Sequence, residues 1–428
     1  MGRWPGVVAI LIAALGLVLA GCSPQTAGTG GTGAGAGSTP AVPDAKLTIT
    51  PATGSQNVGT DTPITVAATG GRIHDVTVRT AGDPVAGALT PDGMTWQSTD
   101  TLNTAQSYTV TATGANSAGR TVSVTSTFTT LTPPSVFHTH IFEGAGDTYG
   151  VGMPIELTFT KHITNEAAVE QALHITTSQP VVGAWSWIDD EHVDFRPRDY
   201  WPAHTQVSFT GLLNGVQGAP GVYGAGDLTQ NFSIGDSLIV VAGAASHRMQ
   251  VYDNGQLQYD WPISTGKPGH DTANGTYLTI DKANPQEMKP SDIAPGQPGY
   301  YDLEVPWSVR FTWSGDFLHD AYWSVGEQGD TNVSHGCVNM PPADAQIYYQ
   351  EELPGDPVTI TGSPLAGTVG DGWTDWFQTW PQLLAGSATH QAVQAGPNGS
   401  TFVPPTTLTS SAAAAPLTTS PSNNAAAS

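Results

Sequence analysis

The sequence predicts a mainly β protein: two immunoglobulin-like β-sandwich domains followed by a β-rich third domain. Three observations carry this. The 428 residues exceed what one compact domain needs. Charged side chains make up only 11% of the chain, and 50 Gly and 33 Pro interrupt it, which leaves little room for long charged helices. Short alternating runs rich in Thr, Val and Ser, bounded by turn residues, recur along most of its length.

At the start, Arg3 precedes an apolar run from Val7 to Ala20, too short for a stable membrane span. The run ends in Leu19-Ala20-Gly21-Cys22, which resembles the lipobox of a bacterial lipoprotein signal. The resemblance implies that residues 1–21 are a signal peptide and that Cys22 carries lipid. The mature protein is then expected at the cell membrane, lipid-anchored and facing the cell wall. Residues 22–44, with TAGTGGTGAGAGSTPAVP, have the composition of a flexible tether.

From 45 to 131 the runs LTITP, ITVAATGG, VTVRT, SYTVTATGANSAG and VSVTSTF predict a first sandwich. From 132 to 235, ELTFTK, HVDFRP and QVSFTG predict a second, with Trp185, Trp187, Tyr200 and Trp201 nearby. The third domain, 236–362, opens with LIVVAG and RMQVYDNGQLQYDWPIST. Its Asn254-Gly255 pair between alternating runs predicts a hairpin. Residues 363–386 contain GWTDWFQTWPQLL, in which Trp373, Trp376 and Trp380 read as packing residues on the third domain. Residues 387–428, rich in Ala, Ser, Thr and Pro, read as a disordered tail.

Thirteen basic against 36 acidic side chains give a net charge of −23, which repels a phosphate backbone and excludes nucleic acid as a partner. Only two cysteines exist. With Cys22 lipidated, Cys337 is an unpaired thiol in an oxidising compartment, a liability unless its reactivity is used. Its setting is Ser334-His335-Gly336-Cys337-Val338-Asn339, with Phe317-Leu318-His319-Asp320 upstream. A thiol nucleophile needs a base and backbone donors for the oxyanion, and His319 can reach Cys337 if the two lie on neighbouring strands. His138 and His140 alternate on a strand, but no third ligand stands at metal-binding spacing.

The pattern of a histidine followed by Ser-His-Gly-Cys-x-Asn resembles the signature of the YkuD-type L,D-transpeptidases, in particular the mycobacterial and related actinobacterial members. STGKPG (264–269), TANGTY (272–277), TYGVGMP (148–154), FRPRDYWPAHT (195–205) and YWSVGEQGDTNVSHGCVNM (322–340) extend the likeness to about residues 45–385. The resemblance implies that Cys337 is the nucleophile and His319 its base. It implies that the Asp320 carbonyl orients His319, and that His335, Gly336 and the Cys337 amide line the oxyanion region. Ser334 and Tyr301 would lie against substrate, with Asn339 bracing the loop and Met288 and Trp323 lining the lid and pocket. Asp320 stands where the family has serine: the change is tolerable where only its carbonyl is used, whereas a carboxylate against the ring raises the pKa of His319. The implied reaction is attack on a stem tetrapeptide, loss of D-Ala, and resolution of the thioester by a diamino-acid amine, giving 3→3 peptidoglycan cross-links. No cofactor or metal is implied, and carbapenem β-lactams are the implied inhibitors. Hydrolysis of the same thioester, making the protein an L,D-carboxypeptidase, and a non-catalytic wall-binding lipoprotein are the alternatives.

Overall fold

The computed structural model describes residues 42–407 apart from 83, 291, 292, 298 and 299. The signal segment, Cys22, the tether as far as 41, and the tail beyond 407 lie outside the described residues.

The first sandwich pairs a sheet of Lys46–Thr50, Thr65–Thr69, Thr95–Ser98 and Gly87–Leu89 with one of Arg72–Arg79, Ser107–Ala115 and Thr121–Thr129. The period-two alternation read from the sequence is the burial pattern: Leu47 and Ile49 point inward between exposed lysine and threonines. Tyr108 stacks on Phe128 at 5.3 Å in the core and uses its hydroxyl to accept the Asn103 N–H at 2.8 Å. Its polar tip is therefore satisfied without reaching water.

The second sandwich is larger. One sheet holds Thr148–Tyr149, Leu228–Ile234, Gln206–Gly211 and Leu173–Thr177. The other runs Gly399–Val403, Ala392–Gly396, Val181–Asp189, His192–Pro197, Ile155–Phe159 and Thr139–Ile141. Trp185, Phe195, Trp201 and Phe209 fill the space between, each side chain contributing roughly 2–3 kcal/mol of burial.

Two expectations are corrected here. Residues 387–403 are not a disordered tail. They turn at 387–390 and form a hairpin whose first strand pairs with Val181–Gly183. Val393 and Ala395 enter the core. The turn also satisfies the buried Glu170 carboxylate through the Ser387 hydroxyl, the Ala388 N–H and the Thr389 hydroxyl, at 2.6–2.8 Å. The cause of the misreading is compositional: two apolar residues at alternate positions are enough to complete a sheet edge, but they are diluted in an Ala/Ser/Thr background. The aromatic segment is not packed on the third domain alone either. Phe377 enters that domain against Tyr277 at 5.0 Å, whereas Trp373 and Trp376 belong to the core of the second sandwich. Their indole N–H groups donate to Glu156 Oε2 and to the Gly152 carbonyl, both at 2.8 Å.

The third domain has a five-stranded sheet ordered Gln256–Pro262, Arg248–Asp253, Leu238–Gly243, Pro357–Thr361 and Gly275–Leu278. Packed against it is a four-stranded sheet of Lys282–Ala283, Ser308–Arg310, Phe317–Asp320 and Val338–Met340. Asn254 and Gly255 have φ of 46° and 80° and make the two-residue turn their sequence predicts. The hairpin Gln286–Met288/Leu303–Val305 projects beside the second sheet. Segment 148–154 is the seam with the second sandwich: the Gly150 and Gly152 N–H groups donate to the carbonyls of Pro354 and Gly355 at 2.8 and 2.9 Å. A Cβ at Gly150 would collide with the Asp356 backbone, so glycine permits the close approach.

Candidate active site

A cavity of about 300 Å³ opens between the projecting hairpin and the four-stranded sheet. Its centre is built by one strand pairing. Phe317–Asp320 runs parallel to Val338–Met340, with Leu318 opposite Val338 and His319 opposite Asn339. A parallel pair needs a crossover of a dozen or more residues, and residues 321–337 supply it, beginning with the 3₁₀ turn Tyr322–Ser324. Alternation then puts His319 and Asn339 on the cavity side, while Leu318, Val338 and Met340 face the core. Cys337 precedes the second strand on the cavity side, half-buried.

His319 is 3% exposed. Its Nδ1 lies 2.8 Å from the Asp320 carbonyl oxygen, a partner that can only accept, so Nδ1 carries the proton and Nε2 is left as the basic nitrogen. Burial pushes the His319 pKa down to about 4, outweighing that hydrogen bond. Burial also pushes the Cys337 thiol up to about 12, and the Asp316 carboxylate adds to the rise; the Phe317 and Cys337 backbone N–H groups pull the other way. At neutral pH the resting pair is therefore a thiol and a neutral imidazole.

The loop carrying Cys337 is fixed from both sides. Ser264 exchanges two backbone hydrogen bonds with Asn339, at 2.8 and 3.0 Å. The Ser334 N–H donates to Thr265 and the Lys267 N–H to Ser334, at 3.0 and 3.1 Å. Thr272 Oγ1 donates to the Gly336 carbonyl at 2.5 Å and accepts the Gly266 N–H at 2.9 Å. The STGKPG and TANGTY segments thus serve as a splint for the loop that carries Cys337. Within the loop, Ser334 Oγ donates to the Cys337 carbonyl at 2.6 Å and accepts the Gly336 N–H at 3.2 Å. That N–H is engaged in this state and so is not a free oxyanion donor. Asn339 Nδ2 donates to Ser324 Oγ at 3.0 Å, tying the second strand to the crossover.

Of the residues singled out in the sequence, Met288, Tyr301, His319, Trp323, Ser334, His335, Cys337 and Asn339 line this one cavity. Gly336 lies behind its wall, and Asp320 turns away from it. His335 is exposed, and its Nε2 lies 2.9 Å from Lys267 Nζ. Its ring meets those of His270 at 4.9 Å and Tyr301 at 5.7 Å. Burial lowers its pKa, with further lowering from positive charge on Lys267 and His270, so a neutral ring accepts from the Lys267 ammonium. The ring of Trp323 stands 5.8 Å from that of His319.

The Asp320 carbonyl holds His319, but the reading that its carboxylate raises the His319 pKa is overturned. Its carboxylate does not contribute to the His319 pKa, which falls rather than rises. Successive side chains on a strand point to opposite faces, and Asp320 is directed away from the imidazole. Burial raises the pKa of its own carboxyl instead.

Asp316 is the site residue the sequence reading missed. It lines the cavity immediately before the strand of His319. Its Oδ1 sits so close to Gly336 that a Cβ there would displace it, and at φ 137° any other residue at 336 would be strained. Burial and the neighbouring Asp371 push the Asp316 pKa up to about 6. A single aspartate outside any motif gives no signal in one sequence; only the strand register brings it to the sulfur.

The L,D-transpeptidase catalytic domain model matches residues 236–360, and the bacterial Ig domain model matches 55–217, across parts of both sandwiches. The chain is 36% identical to L,D-transpeptidase 2 of Mycobacterium tuberculosis, over 80% of this chain and 85% of that protein. It is 34% identical to L,D-transpeptidase 5 of the same species, over 81% and 78%. A solved structure of LD transpeptidase LdtMt1 in complex with imipenem aligns with 52% of this chain and 97% of its own, at 35% identity and a TM-score of 0.45.

Proposed function

This chain belongs to the L,D-transpeptidase family, and on that premise we propose that Cys337 is its acyl-carrying nucleophile and His319 the base. The enzyme is an L,D-transpeptidase of peptidoglycan cross-linking. One observation carries the residue assignment: the parallel strand pair that puts His319, with Nε2 free of its proton, on the same cavity face as Cys337.

As the sulfur attacks the carbonyl carbon of a stem tetrapeptide, the S–H proton passes to His319 Nε2 and the carbonyl electrons move onto oxygen. Collapse of that tetrahedral oxyanion breaks the C–N bond to D-Ala, whose nitrogen takes the proton back from the imidazolium. A thioester on Cys337 remains. The diamino-acid amine of a second stem then attacks, giving a 3→3 link and restoring the thiol. The neutral resting pair suits this order, because charge develops only once substrate has displaced water. Incubation of the protein with tetrapeptide muropeptides, read by mass spectrometry, should yield dimers lighter than two monomers by one alanine. Recovery of tripeptide monomers alone would instead make it a carboxypeptidase.

A sulfur able to acylate on an amide carbonyl also opens a strained β-lactam, and carbapenems are the proposed inhibitors. Intact-protein mass spectrometry should give one carbapenem adduct, mapping to the peptide that contains Cys337. An adduct on a serine would contradict the cysteine route.

Cys22 is proposed as the lipid attachment point, supported by the apolar run ending in Leu19-Ala20-Gly21-Cys22. The proposed location is the outer face of the cell membrane. Cys22→Ala should shift the protein from the membrane to the soluble fraction with turnover of soluble muropeptides intact. Continued membrane retention of that variant would remove the anchor from this reading.

A further inference from the structure

Asp316 is an odd neighbour for a nucleophilic sulfur. Among the described residues its carboxylate makes no hydrogen bond and no ion pair. Asp371, by contrast, is held by the Ser314 N–H and hydroxyl, each at 2.7 Å. Among the described residues no lysine or arginine lines the cavity, and Lys267 is turned onto His335. A half-buried carboxylate without a counter-ion opposes thiolate formation at Cys337, so it works against the first half of the reaction. Its charge becomes favourable only when a cation enters the same cavity.

The two halves of a transpeptidation differ in that respect. The acceptor is an amine, which is an ammonium at neutral pH; the competing nucleophile, water, is uncharged. We propose that Asp316 is the specificity-determining residue that draws the ammonium of the acceptor to the Cys337 thioester and so favours cross-linking over hydrolysis. This rests on the transpeptidase reading of the same site.

The ammonium gives up two protons in all. One leaves to solvent by way of the Asp316 carboxylate, freeing the nitrogen lone pair for attack on the thioester carbon. As the C–S bond breaks, the sulfur takes the electron pair, and the second amine proton reaches it through His319. The products are an amide and a thiol, and the carboxylate is regenerated. A carboxyl group that burial brings near pH 6 is basic enough to hold a proton briefly and acidic enough to release it.

The test compares wild type, Asp316→Asn and Asp316→Glu in three measurements: acylation by a carbapenem, partition of the tetrapeptide thioester between dimer and hydrolysed tripeptide, and transfer to hydroxylamine, an uncharged nucleophile at neutral pH. In Asp316→Asn, acylation should be as fast as in wild type or faster. The dimer-to-tripeptide ratio should fall about tenfold, the scale of one half-buried charge pair. Transfer to hydroxylamine should hold, and Asp316→Glu should recover part of the dimer ratio. An unchanged ratio in Asp316→Asn overturns the proposal. So does a fall of hydrolysis in step with dimer formation, which would make Asp316 a base for any nucleophile, and so does slowed acylation, which would make it structural. If wild type itself forms no thioester, the transpeptidase chemistry assigned to Cys337 fails, a result separate from these.

Discussion

Cys337→Ala should abolish both transpeptidation and carbapenem adduct formation while leaving the fold intact. Besides Cys22, Cys337 is the chain's one cysteine, so no second thiol can substitute. The substitution removes a single half-buried sulfur from a loop whose conformation is set by backbone and hydroxyl contacts from Ser264, Thr272 and Ser334. The expected cost in stability is about 1 kcal/mol or less. The expected loss in turnover is on the order of 10⁴ or more, because among the described residues no second thiol lines the cavity to form the acyl intermediate. Thermal unfolding and dimer formation measured on one preparation separate the two effects. Cross-linking at even about a tenth of the wild-type rate would exclude Cys337 as the nucleophile.

His319→Ala should slow acylation by roughly 10²–10⁴-fold and change the shape of its pH profile. In the wild type, imidazole with a pKa of about 4 stays neutral, and hence basic, throughout the neutral range. The acid limb of acylation should therefore fall below pH 5 rather than near the 6.5 of an ordinary histidine. Asp316, ionising near pH 6 against the sulfur, works in the opposite sense: its protonation relieves the thiolate and lifts the rate modestly before His319 is lost. Without the base, reaction must wait for thiolate formed by solvent. With the thiol near 12, the rate should climb about tenfold per pH unit across the neutral range. Stopped-flow acylation from pH 4 to 10 reads both curves. A His319→Ala profile as flat as wild type would show that the imidazole takes no proton.

The sequence carried the chemistry better than its surroundings. That Cys337 and His319 share one cavity was legible because a reactive thiol needs a base and a glycine-bearing loop, and those residue types stand in a fixed order. Asn254-Gly255 is legible because positive φ at two adjacent positions narrows the choice of residues. The direction of Asp320 was not legible, since proximity in sequence suggests contact where a strand forces opposition. Asp316 was hidden for the converse reason: it stands 21 positions before Cys337, and the pairing of 318 with 338 is what closes that gap. The hairpin 392–403 escaped notice because its partner strand lies some two hundred residues earlier, and no local pattern announces such a pairing.

That late strand alters how the molecule is put together. The chain lays down most of the second sandwich, departs at about residue 235 to form the enzyme, then returns to add the edge pair beside Val181–Gly183. In topological terms the transpeptidase unit is an insertion within an immunoglobulin-like host, entering and leaving the same body. It hangs from two covalent stems instead of one. Swivelling about a single linker is thereby prevented, and a protease cut through either stem leaves the other holding. During synthesis the host waits with an incomplete sheet until the inserted enzyme has emerged, so its Glu170 carboxylate finds its donors only after residues 387–389 have been made. An early stop after the catalytic domain would cost the chain more than a tail.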